Sequence, residues 1–163
     1  FPKRVRFIAG NRTTRNSLAS IFLETTFDVI IDISGYTISD AAQERHVFSS
    51  GTVIPANGVL VLFGGGTPTG DFGGAIVQTA SGGLLNMNNA GDMVTMRDNN
   101  GNEILTFDID PLSNNPDEAY TRYPDLNETP NENGNVFFQH AGIPEAEGRL
   151  FSPGTKLDGT NFN

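Results

Sequence analysis

Asp32-Ile-Ser-Gly-Tyr-Thr-Ile-Ser-Asp40, Gly51-Thr-Val-Ile-Pro-Ala-Asn-Gly58 and Val59-Leu-Val-Leu-Phe63 are the segments whose reading decides the fold. Upstream, Phe27, Val29, Ile31 and Ile33 recur at every second residue, with Asp28 and Asp32 between them. That is the period of a strand with one wet face. Ser34-Gly35 interrupts the run, and Tyr36 and Ile38 resume it. Pro55 to Gly58 is a turn, because Pro presets φ and Asn or Gly tolerates a positive φ. Val59 to Phe63 has no polar alternation, which predicts a strand covered on both faces.

Outward from this centre, the same reading gives short strands throughout. Residues 4–8 alternate charged and apolar side chains; Leu18, Ile21 and Phe22 sit at helical spacing, but 21–23 also suit a strand, the favoured reading. Asp40 to Gln43 fits a single capped helical turn, since Asp accepts from backbone N–H groups and Gln reaches back. His46 to Phe48, Ala75 to Thr79, Leu84 to Asn88, Met93 to Arg97, Glu103 to Ile109, Ala119 to Arg122 and Val136 to Phe138 follow as strands. Asp98-Asn-Asn-Gly-Asn102 is a hairpin signal between two of them. Gly64 to Gly74 is a glycine-rich loop, 124–135 is a polar excursion, and the tail from Pro144 is irregular. About ten short strands at this spacing predict an all-β antiparallel sandwich or barrel. Ile31, Ile33, Leu60, Leu62, Val94 and Phe107, on the strongest strand patterns, are expected in one core.

The 163 residues suit a single domain spanning 1–163, with no internal repeat and no linker. Twelve Phe in a chain that is 37% hydrophobic supply a core, and 19 Gly with 9 Pro supply turns. No apolar run reaches membrane-spanning length. No secretory leader is visible, and with Phe1 rather than Met at the start nothing follows from that. The absence of Cys removes disulfides, thiolate zinc sites and cysteine nucleophiles.

The net charge of −9 is unevenly spread. Residues 1–15 hold five of the ten basic residues and no acid, so that segment is +5 and the remainder −14. An acidic body repels phosphate and argues against nucleic acid as a partner. The basic segment reads as an edge strand protected by its charges, with Val5 and Phe7 directed to the core; an anion-binding arm is the alternative.

The ordered set of segments resembles the lamin tail domain family in its bacterial, extracellular form. Phe22-Leu-Glu24, Asp32 to Asp40 with Tyr36 in the place of a Trp, Gly51 to Phe63, Leu85 to Asp98, Thr121-Arg-Tyr-Pro-Asp125 and Phe151-Ser-Pro-Gly154 match its motifs in order, over roughly residues 20–155. The basic Val5-Arg-Phe-Ile8 departs from the family's usual first strand. The resemblance implies an immunoglobulin-like β-sandwich and a non-catalytic module of a secreted or cell-surface protein, with attached domains in the parent chain.

Individual candidates for chemistry give way to simpler readings. Asp71-Phe-Gly73 spells a kinase triplet, but the rest of that machinery is missing, and an aromatic-anchored glycine loop accounts for it. The Gly64 to Gly74 loop lacks the Gly-Lys-Ser/Thr of a phosphate cradle. Asp98 to Glu103 has a calcium-loop flavour, yet Asn and Gly are what a hairpin turn selects. Asp108, Asp110 and Asp117 read as solvated loop or strand-edge acids. His46 and His140, the only histidines, read as half-exposed strand residues rather than metal ligands. No Gly-x-Ser-x-Gly elbow occurs. Asn11 and Asn127 begin glycosylation sequons that mark exposed loops. No catalytic, cofactor or metal residue is assigned. The expected function is a non-enzymatic binding or anchoring module for a protein or a cell-surface glycan. A carboxylate-dependent hydrolase and a purely structural spacer are the alternatives.

Overall fold

The computed structural model describes residues 4–9, 19–24, 30–87, 92–108, 118–123 and 137–162. Among them, twelve strands run in the order β1 Arg4–Ala9, β2 Ala19–Glu24, β3 Ile31–Asp32, β4 Thr37–Ser39, β5 Glu44–Val47, β6 Val53–Ile54, β7 Val59–Phe63, β8 Ile76–Thr79, β9 Met93–Arg97, β10 Glu103–Asp108, β11 Tyr120–Arg122 and β12 Phe137–Gln139. The helical elements among the described residues are 3-10 turns at Phe72–Gly74, His140–Gly142 and Pro144–Ala146. The chain is therefore all-β, as its periodicities require.

Two four-stranded sheets face each other, in the orders β1-β2-β7-β8 and β10-β9-β4-β5. Small antiparallel pairs, β3 with β6 and β11 with β12, complete the framework. One main core joins the sheets. Leu60 and Leu62 from β7 meet Ile38, Val94, Met96 and Phe107 from the opposite sheet, with Ile33, Phe48, Ile54, Tyr120 and Phe137 around them. Ile33, Leu60, Leu62, Val94 and Phe107 are buried in this core as the strand patterns predict, and Ile31 packs against it half-buried.

The apolar run Val59–Phe63 is buried along its whole length. Its second face carries Val59, Val61 and Phe63, which form a separate cluster with Ala119. Phe72, Ala75 and Phe162 cover that cluster from the glycine loop and the tail. A strand with no wet face thus has no alternation, because each face meets its own apolar layer. Each fully buried Leu or Val contributes about 1.5–3 kcal/mol relative to exposure.

β8 runs parallel to β7, the one departure from antiparallel pairing among the described strands. A parallel neighbour needs a long crossover, and the glycine-rich segment from Gly64 supplies it. Before β7, the Gly58 N–H closes a turn on the Pro55 carbonyl at 2.9 Å, with Asn57 left-handed at φ 53°. A Cβ at residue 58 would stand 2.8 Å from that carbonyl oxygen, so glycine is required there.

Several expectations are corrected. Residues 40–43 do not form a helical turn. The Asp40 side chain does accept from the N–H groups of Ala42 (2.8 Å) and Gln43 (2.7 Å), but Asp40 N–H also donates to the Gln43 carbonyl. That second bond closes a β4–β5 hairpin, and a cap alone does not make a helix when the flanking strands pair. Residues 84–87 form no strand, although Leu85 is fully buried, so a buried apolar anchor on a loop imitated a strand. His46 and His140 are buried rather than half-exposed, at 5% and 0%, and His140 lies on a 3-10 turn rather than a strand. The expectations for Phe27, Val29, Asn88, Ile109, Asp110, Asp117, 124–136, both sequons, and the side chains of Val5 and Phe7 lie outside what is described.

Candidate functional site

Chemistry-bearing residues gather at three places, each built by turns between strands. At one end of the sandwich, three turns meet. The Asp32 carboxylate accepts from the Ser34 N–H (2.8 Å) and hydroxyl (2.5 Å), and Ser34 Oγ in turn accepts from Gly51 N–H at 2.9 Å. Gly35, at φ 76°, donates to the Phe48 carbonyl at 2.8 Å and faces Asn99 of the β9–β10 turn. In that turn Asp98 Oδ1 accepts from the N–H groups of Asn100 (2.9 Å) and Asn102 (2.8 Å), and Oδ2 accepts from Asn102 Nδ2 (2.8 Å).

These bonds set the electrostatics. The Ser34 hydroxyl and N–H hold the Asp32 carboxyl below its ordinary range. The Asn102 amide, helped by backbone N–H groups, does the same for Asp98. Burial pushes the Tyr36 phenol up, and the charges of Asp98 and Asp32 add to it. At the far end of β4, burial acts to raise the Asp40 carboxyl, but the Arg45 guanidinium and the Gln43 and Ala42 N–H groups prevail and lower it. Asp158 is lowered by the hydroxyl and N–H of Thr160, at 2.6 and 2.9 Å. A carboxyl that serves as a general acid at neutral pH must be raised, not lowered. Asp98 closes a hairpin, as its Asn/Gly neighbours predict. Among the described residues no three His, Asp or Glu side chains are grouped to hold a metal ion.

The second place is the glycine loop. Phe72 packs tilted against Phe63 with ring centroids 5.1 Å apart, so Asp71-Phe-Gly73 is the aromatic anchor its composition predicts. Gly73 and Gly154 let this loop lie against the tail: a Cβ on Gly154 would stand 1.9 Å from the Phe72 carbonyl oxygen. The tail fixed in this way carries Leu150 and Phe151, which are exposed, beside Ser152, which is buried.

The third place was not legible in the sequence. His46 Nδ1 lies 3.1 Å from both the N–H and the hydroxyl of Ser81, and the Val47 N–H donates to Ser81 Oγ at 3.0 Å. Phe48 presents its ring edge-to-face to the imidazole at 4.4 Å. Gln78 Nε2 reaches Thr52 Oγ1 at 3.4 Å, and Thr52 donates to the Ser49 carbonyl at 2.8 Å. Burial depresses the His46 imidazole below its ordinary range, with the Gln78 amide opposing. Ser81 lies far from His46 in sequence and in a stretch without periodicity, so no local signal joins them. His140 is separate, with Nδ1 2.7 Å from the buried Thr121 hydroxyl.

A family model described as Lamin Tail Domain matches residues 11–110, more than half of the chain. The resemblances at Thr121–Asp125 and Phe151–Gly154 lie beyond the matched span. No curated protein and no solved structure matches the chain. Among the described residues, no helix is long and apolar enough to cross a membrane.

Proposed function

The chain belongs to the lamin tail domain family, a family of immunoglobulin-like and generally non-catalytic modules, and from this we propose that it is a binding or anchoring module of a secreted or cell-surface protein. Its partner is a protein or a cell-surface glycan, and nucleic acid is not its ligand. The observation that carries the non-catalytic reading is the state of its carboxylates. Asp32, Asp40, Asp98 and Asp158 each accept hydrogen bonds within a turn and are held in the charged form. Groups used in this way stabilise loops and are poor proton donors near neutral pH.

A sandwich offers its loops for binding, because its inner faces are occupied. The Gly64–Gly74 loop and the tail that packs on it form a platform, and exposed Leu150 and Phe151 give it an apolar surface. Protein and glycan arrays probed with the purified chain test the reading. Binding is expected to be lost in Phe151→Asp with thermal stability unchanged. A blank screen favours a spacer. Turnover in a hydrolase panel, abolished by changing one Asp or Glu, overturns the non-catalytic reading.

A further inference from the structure

His46 sits where the two sheets meet edge to edge. β5, its strand, ends one sheet, and Ser81 begins the turn after β8, which ends the other. A backbone N–H can only donate, so the 3.1 Å bond from Ser81 N–H makes His46 Nδ1 an acceptor. The imidazole is therefore neutral, with its proton on Nε2. Nε2 is buried without a hydrogen-bond partner, and the residue as a whole is 5% exposed. The Val47 N–H to Ser81 Oγ bond and the Gln78 to Thr52 bond continue the same seam.

We propose that this seam is an acid-released latch. Protonation of Nδ1 turns the acceptor into a donor facing the Ser81 N–H, which frees Ser81 from β5 while Ala80, buried in the main core, and the rest of that core stay folded. The neighbouring elements offer the imidazolium no opposite charge, although the Gln78 amide favours the charged ring and the Ser81 hydroxyl lies 3.1 Å from Nδ1. Thr37–Ser39 of β4, Ile76–Thr79 of β8, the Ala80–Gly83 turn and the Ser49–Thr52 turn contain no titratable group. On its own strand Glu44 is exposed, and Arg45 is engaged by Asp40. The Phe48 ring stands perpendicular to the imidazole, with centroids 4.4 Å apart.

The sign follows from proton uptake. Burial keeps the closed ring below the ordinary histidine range, whereas the released ring returns to about 6.5. Between those values the open form binds one more proton, so the opening constant rises about tenfold for each pH unit below about 6.5. Above that pH it is flat. Release is local, so it reports on the amides of the seam and not on the whole sheet.

Amide hydrogen exchange followed by NMR from pH 8 to pH 5, corrected for intrinsic rates, tests the latch. Protection at Ser81 and Val47 is expected to fall about tenfold per pH unit below about 6.5, while Val94 in β9 keeps its protection. His46→Asn retains an acceptor oxygen without a titrating group, and its profile is expected to be flat. The proposal is overturned if Ser81 protection does not change across the ring's titration, or if His46→Asn shows the same pH dependence. It is also overturned if Ser81 and Val94 lose protection together, since the loss would then be global unfolding and not release of the seam. Should His46→Asn not fold, the nitrogen shifts of the parent ring decide the matter. An unprotonated Nδ1 at pH 8 is expected, and a protonated Nδ1 overturns the latch.

Discussion

Leu60 shows how much one residue holds. It is wholly buried in the core between the sheets, and its strand is covered again on the other face. Truncation to Ala leaves a cavity that rigid neighbours cannot close. A loss of about 2–5 kcal/mol is expected in denaturant melts. A loss below about 0.5 kcal/mol, typical of surface changes, would contradict burial on both faces. Gly154 makes the opposite point, since here an added atom does the damage. Its φ is 77°, and a Cβ would overlap the Phe72 carbonyl oxygen at 1.9 Å. The left-handed backbone alone adds about 1–3 kcal/mol of strain for a non-glycine residue. Gly154→Ala should therefore lower the melting temperature and loosen the Phe72 anchor, raising amide exchange in the Gly64–Gly74 loop. Gly66, also at positive φ but with open space around its Cβ position, should suffer from the strain alone. Equal effects at the two positions would show that the loop and tail do not pack as described.

At the scale of elements, the β9–β10 hairpin is the unit most dependent on one carboxylate. Asp98 accepts three hydrogen bonds from Asn100 and Asn102. Asp98→Ala should raise amide exchange at Asn100 and Asn102 and lower the melting temperature, with Asp98→Asn intermediate because one acceptor oxygen survives. The pH dependence has a definite sign. The folded carboxyl lies below its ordinary value, so its contribution is complete above about pH 4 and is lost as pH falls through the lower folded value. Denaturant midpoints measured between pH 5 and pH 2 should fall in the parent and fall less steeply in Asp98→Asn; parallel profiles would contradict this. This hairpin was legible because Asn and Gly at fixed positions specify a turn and the flanking runs specify strands. β7 was legible for a similar reason, as a continuous apolar run bounded by a Pro/Gly turn. The parallel pairing of β8 was not, because strand direction depends on where a glycine loop crosses, and the loop's composition does not encode its path. The His46–Ser81 seam was hidden for the same physical reason. Its partners lie on a strand of one sheet and on the turn that follows a strand of the other, and Ser81 lies in no periodic run.

At the scale of the whole molecule, the asymmetry between a +5 segment at residues 1–15 and a −14 remainder separates two accounts of the N-terminus. In the structural account, β1 is a sheet edge and its charges guard that edge. The register supports it: Val5 pairs with Leu23 and Phe7 with Ile21, and β2 in turn sets Leu23 opposite Leu60 and Ile21 opposite Leu62. Leu60 and Leu62 belong to the main core. Residues directly opposite in adjacent strands share a face, so Val5 and Phe7 are expected to extend that core. Arg4 stands opposite Glu24, a cross-strand pair of opposite charge. Cross-strand ion pairs at a sheet edge contribute about 0–1 kcal/mol where exposed, so charge reversal at Arg4 is expected barely to change stability. Phe7→Asp should destabilise far more, because a charge would enter an apolar row without a partner. In the competing account the arginines form an anion-binding arm, and Arg4, Arg6 and Arg12 control a salt-sensitive affinity for DNA or an acidic glycan. Binding of both ligands at low salt, measured for the parent chain and for an Arg4/Arg6/Arg12→Ala variant, separates the accounts. The structural account expects weak binding by the parent, since the acidic body repels both ligands, and little change in the variant. Tight binding by the parent that vanishes in the variant at unchanged thermal stability would assign the segment to recognition and not to the fold.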